Sequence, residues 1–178
     1  PAVSLTYRYA LAATVAFAWC LLRGQSLRFS LRTHGVFLLL GMFLFGLNYL
    51  AAYQAQFYIS SALNAIGFSS MIWMNILNAR LLLKRRTTAS VYVGAAMGMA
   101  GILIIFLPVI EVLTLTDRVL VGLFFSLLGT LFASFGNIAS QVAQGWAIPV
   151  MQANAWGMLY GAMLNGGIAV LLGKAFVF

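Results

Sequence analysis

Apolar residues in this chain do not alternate with polar ones. They run together in six long stretches, residues 3–22, 35–57, 61–79, 90–107, 119–139 and 150–172. A helix rises 1.5 Å per residue, so about 20 residues cross the roughly 30 Å hydrocarbon core of a bilayer. Five of the stretches contain no Asp, Glu, Lys or Arg, and the first contains Arg8 alone. Runs without period-two alternation do not suit a transmembrane barrel. In lipid, a lone segment can satisfy its own backbone only as a helix. The expected fold is therefore all-α: a polytopic helical membrane protein with six transmembrane helices.

Composition closes the alternatives. Hydrophobic residues make up 63% of the 178 and charged residues 7%, against about 45–50% and about 25% in soluble domains. So little polar surface cannot cover a soluble core, and so much apolar surface is the reverse of a disordered chain.

A net charge of +8 raises nucleic acid as a partner, but the placement of the charges argues against it. Seven of the ten Lys/Arg fall in two clusters, Arg23, Arg28 and Arg32, then Arg80, Lys84, Arg85 and Arg86. Each directly follows an apolar run, which is the position of a topogenic signal. By parity, loops 23–34, 80–89 and 140–149 share one side, and the positive-inside rule makes that side cytoplasmic. The expected location is the plasma membrane, as in a bacterial inner membrane. Bilayer lipid is the expected partner and nucleic acid is not.

Candidate chemistry is sparse. Cys20 and His34 are single, which leaves no internal disulfide, metal cluster or cofactor motif to expect. The acids are Glu111 and Asp117, both between the fourth and fifth stretches, and no nucleophile elbow, metalloprotease motif or P-loop is present. An enzyme is not expected. Arg8 is the one intramembrane charge, with three readings open: an interhelical hydrogen-bonding partner, a contact to an anionic solute, or a side chain snorkelling to the interface.

Polar residues mark the inward faces. Ser61, Asn64, Phe68, Met71, Asn75 and Asn78 recur in steps of three and four, as do Gly122, Ser126, Gly129, Ala133, Asn137 and Ser140. Asn48 has similar neighbours in residues 35–57. Amides in lipid must find partners, so these faces point into the bundle, either as interhelical hydrogen bonds or as a solute cavity. Gly94, Gly98 and Gly101, with Gly129, Gly157 and Gly161, have the spacing of close helix packing.

Together these segments resemble the EamA-like transporters of the drug/metabolite transporter superfamily. The similarity lies in Arg8-Tyr9-Ala10-Leu11-Ala12, in Leu47 to Tyr53, in Phe57 to Ser69, and in Asn75 to Arg80 with the basic residues after it. It continues through the glycines of 94–101 with Phe106-Leu107-Pro108, and through Pro149 and Asn154 to Gly161. The resemblance implies a ten-helix, inverted-repeat transporter of which this chain holds helices two to seven. Residues 1–117 would be a first repeat without its first helix, and 118–178 the start of a second. The chain then reads as an internal piece of a longer protein. The implied function is secondary transport of a small organic metabolite or drug, outward, by alternating access. A channel and a non-transporting membrane scaffold are the rivals, and a homodimer stays open. The resemblance brings the helices to a central cavity, and the stripes select its lining: Asn48, Asn64, Phe68, Asn75, Ser126 and Asn137.

Overall fold

A computed structural model describes residues 2–111, 114 and 116–176, which are mostly helical with no strand among them. Pro1, which the sequence places at the start of the first helix, lies outside the described residues. The helices are α1 (Ala2–Leu22), α2 (Leu31–Leu40), α3 (Asn48–Ala55), α4 (Ser61–Ser69), α5 (Met71–Leu82), α6 (Ala89–Ile105), α7 (Leu107–Glu111), α8 (Asp117–Gly145) and α9 (Val150–Leu171). Gly41–Leu47 joins α2 to α3 as a π-helical segment. Ala2–Leu22, Leu31–Ala55 and Asp117–Gly145 are each long and apolar enough to cross a membrane. Large apolar side chains such as Leu11, Val15, Met97, Phe124 and Met163 are exposed on the helices. A soluble protein would leave few such contiguous faces in water, whereas lipid solvates them. The protein is a polytopic helical membrane protein.

The chain forms two compact units, one of residues 1–47 with 135–178 and one of Asn48–Ser134. In the first, α1 and the π-helical segment pack against α9, and α2 joins them. Close approach there depends on glycine. A Cβ on Gly41 would strike the Gly157 carbonyl and Tyr160, and one on Gly161 would strike Phe45. Buried Leu5, Tyr9, Ala13, Phe37, Leu40 and Ala155 fill the remaining space.

In the second unit, Ala55, Ile59 and Leu63 form a buried apolar cluster against Tyr58, Ile66, Val119, Leu123 and Phe125. Gly122 meets Tyr58 and Ile59, Gly67 meets Ser126, and Gly129 meets Asn48 and Ala51. The unit is thus held along one face of α8.

Several elements differ from the sequence expectation, each for a local reason. The stretch 61–79 is not one helix but two, α4 and α5, parted at Ser70. There Ser69 Oγ donates to the Ile66 carbonyl at 2.6 Å and Ser70 Oγ to the Gly67 carbonyl at 2.7 Å. Hydroxyls that bond carbonyls one turn back compete with the helical ladder and bend it. The segment 140–149 is mostly helix, because α8 continues to Gly145 and Gln144 Nε2 donates to both Ser140 O and Ser140 Oγ. Loops 23–34 and 80–89 shorten to 23–30 and 83–88. Ser30 starts α2 by accepting from Thr33 N at 3.3 Å, and the last turn of α5 extends to Leu82. The stretch 90–107 becomes the 17-residue α6 and the separate α7.

Candidate functional site

The hydroxyl-bearing face of α8 organises the polar residues of the second unit. Ser126, Thr130 and Ser134 recur every fourth residue, so they stack on one side of the helix, and all three are fully buried. Ser126 Oγ donates to the Asn64 carbonyl at 3.2 Å. The missing Cβ of Gly67 leaves the room that Ser126 occupies. Thr130 Oγ1 donates to the Ser126 carbonyl at 2.8 Å, and Asn78 Nδ2 donates to Ser134 Oγ at 2.8 Å. One turn from Ser126, a Cβ on Gly129 would lie 3.1 Å from the Asn48 carbonyl oxygen. α8 therefore touches α3 and α4 through backbone, and its Ser134 reaches α5.

The six expected cavity residues divide accordingly. Asn48, Asn64 and Ser126 are buried along this seam, and Phe68 and Asn75 in the same unit are half-buried. Asn137 lies in the other compact unit and is half-buried. Ser126 spends its hydroxyl on a helix carbonyl. Asn64 Oδ1, by contrast, is buried with no hydrogen-bond partner among the described residues. An amide acceptor left open inside a membrane bundle can take a hydrogen bond from a small polar solute.

Arg8 stands on the exposed side of α1, its guanidinium carbon 5.9 Å from the centroid of the Tyr9 ring. It opens into a groove of about 710 Å³ shared with Leu11, Val15, Trp19, Asn154 and Met158. Of the packing glycines, Gly129, Gly157 and Gly161 are tightly packed. At Gly94, Gly98 and Gly101 a Cβ would meet nothing within 4 Å among the described residues.

Sequence reasoning missed the polar contacts of the first unit. Gln152 Nε2 donates to the Ser26 carbonyl at 3.0 Å. His34 Nδ1 and Tyr160 OH lie 2.8 Å apart in a hydrogen bond, with the Trp156 ring edge-on to the imidazole at 4.5 Å. Asn165, fully buried, donates to the carbonyls of Phe45 and Gly161. The buried spacing Gln152, Ala155, Gly161, Ala162, Asn165, Ala169 on α9 was a signal that could have found Gln152 and Asn165. Nothing in the order of residues pairs His34 with Tyr160, which are 126 positions apart.

Long helices with exposed apolar faces and buried polar groups that pair helix to helix define a multi-pass membrane protein. The sequence profile of the EamA-like transporter family matches residues 1–107, more than half of the chain. The protein belongs to that family, membrane transporters of the drug/metabolite type. No curated protein and no solved structure matches the chain.

Proposed function

We propose that the protein moves a small, polar organic solute across the plasma membrane, outward, by alternating access of two repeats, of which residues 1–117 hold the first without its first helix and residues 118–178 the start of the second. Membership of a transporter family supports the class of activity. The single observation that carries the site is the buried, unpartnered Asn64 Oδ1 on a seam shared with Asn48 and Ser126. Neutral amides offer both donors and acceptors to a dehydrated solute without the cost of a buried charge. Asn75 and Phe68 of the same unit would complete the lining, and loops 23–30 and 83–88 would face the cytoplasm.

A specific observation favours a second reading. The Ser126–Asn64 and Asn78–Ser134 hydrogen bonds give some of these polar residues partners within the protein, as a non-transporting scaffold would require. The two readings part in one experiment. Vesicles holding the purified full-length protein are assayed for uptake and efflux of a metabolite panel, alongside Asn48→Ala, Asn64→Ala, Asn75→Ala and Asn137→Ala. Saturable flux that weakens in these variants supports the cavity. Flux unchanged in all four removes the cavity assignment, and no flux of any solute favours the scaffold.

A further inference from the structure

The basic residues after α5 do more than trail into a loop. Leu83 N donates to the Ala79 carbonyl at 3.1 Å, Lys84 takes a φ of 52°, and Arg85 N then returns to the same Ala79 carbonyl at 3.2 Å. This reversal folds the chain back over the last turn of the helix. Arg80 from the helix and Lys84, Arg85 and Arg86 from the loop consequently line one pocket of about 440 Å³, with Thr87 and Tyr92. The left-handed position is usually given to Gly or Asn, since a Cβ is strained there. Here it carries a lysine, so the turn keeps its charge where a neutral residue would fit better.

Four like charges around one small cavity repel one another, and the chain has little with which to offset them. Its only acids are Glu111 and Asp117, which follow the far end of the 17-residue α6, about 25 Å along that helix from the pocket. Among these 178 residues no acid lies near enough to compensate the cluster. What borders the pocket indicates the source of the compensating negative charge. Leu77, Leu81 and Leu82 on the last turns of α5 are exposed, as are Val91 and Val93 on the first turns of α6. Tyr92, on the pocket wall, is held by the Trp73 ring at 6.3 Å between centroids. A cationic pocket directly above an exposed apolar belt matches a molecule with a phosphate joined to acyl chains. A soluble phosphate compound would gain nothing from the leucines.

We propose that this pocket binds the phosphate of an anionic phospholipid in the leaflet it faces, with the acyl chains against the exposed leucines. Arg80, Arg85 and Arg86 supply forked donors suited to phosphate oxygens, and Thr87 and Tyr92 supply hydroxyls. Juxtamembrane basic clusters of this size attract anionic headgroups generally; the folded-back turn makes this one a defined cavity. The inference depends on the chain's being in a membrane and not on what it transports.

The test uses the full chain, purified in detergent and examined by native mass spectrometry with phosphatidylglycerol or phosphatidylcholine of identical acyl chains. Phosphatidylglycerol should be retained roughly tenfold more than phosphatidylcholine, equivalent to about 1.4 kcal/mol. Arg85→Gln/Arg86→Gln should abolish that preference, Arg86→Gln alone should reduce it, and Lys174→Gln should leave it intact. The single variant keeps three of the four cations, so it remains informative if the double variant fails to insert. Equal retention of the two lipids would overturn the proposal, as would a preference that survives both Arg variants. Displacement of phosphatidylglycerol by excess inorganic phosphate would show that the lipid is not the ligand.

Discussion

Asn165 Nδ2 donates to the carbonyl oxygen of Phe45 at 3.0 Å, across the contact between α9 and the π-helical segment. The same nitrogen lies 2.8 Å from the Gly161 carbonyl on its own helix. A π-helical turn shifts the hydrogen-bond ladder by one residue, and inside a membrane no water is present to satisfy a displaced carbonyl. One fully buried amide therefore serves both helices, one turn beyond Gly161.

Replacing Asn165 with leucine keeps the volume and removes the donor. The Phe45 carbonyl should lose a partner, at a cost of about 0.6–2 kcal/mol for an interhelical bond in a membrane protein. A lower melting temperature in detergent is expected. No change would mean that the π-helical segment holds its geometry without this contact.

Glycine substitutions should separate the packed faces from the open one. Gly161→Ala and Gly67→Ala place a methyl against Phe45 and Ser126 respectively, and overpacking of this kind costs typically about 1–3 kcal/mol. Gly98→Ala meets open space and gains helix propensity, up to about 1 kcal/mol. Thermal unfolding should rank Gly98→Ala at or above the parent and the other two below it. A destabilised Gly98→Ala would show that another surface covers α6.

Asn64 and Ser126 offer a clean division between packing and solute contact. Ser126→Ala removes the hydroxyl that reaches the Asn64 carbonyl, so stability should fall by about 0.6 kcal/mol. Asn64→Ala leaves that backbone acceptor in place and deletes the unpartnered Oδ1. Apparent solute affinity should weaken in Asn64→Ala with little change in melting. If melting falls and affinity holds, Asn64 is a packing residue.

Topology can be read by thiol labelling once buried Cys20 is replaced. Single cysteines at Ser26 and Thr88 should be protected from an impermeant reagent in intact cells, and one at Glu111 should label. All three positions are exposed on the protein, so protection reports the membrane side and not burial. The opposite pattern would reverse the orientation inferred from the basic clusters.

Much was legible in the sequence because it is decided locally. Whether a segment tolerates lipid depends on its own side chains and its own backbone hydrogen bonds, so a run such as 3–22 with only Arg8 charged announces a helix without any neighbour's help. Hydrophobic content, charge placement and the motifs from Arg8 to Pro108 led to the same fold and family that the structure and the profile match support. The inward-facing positions of Ser126, Asn48 and Asn64 were also legible, and all three are buried, since an amide or hydroxyl in an apolar stretch is conspicuous.

The rest was decided between helices. Successive helical residues point 100° apart, and what packs on α5 buries Asn78 while Asn75 stays half-buried. Gly98 and Gly161 look alike in sequence, yet only Gly161 has Phe45 above it. Thr130 and Ser134 became significant through helices that meet α8, and Asn165 through a π-helical turn more than a hundred residues away. Local chemistry determines that a segment enters the membrane as a helix. Which of its faces is a seam, which is open to lipid, and which polar atom is left for a solute depends on the shape of a second helix.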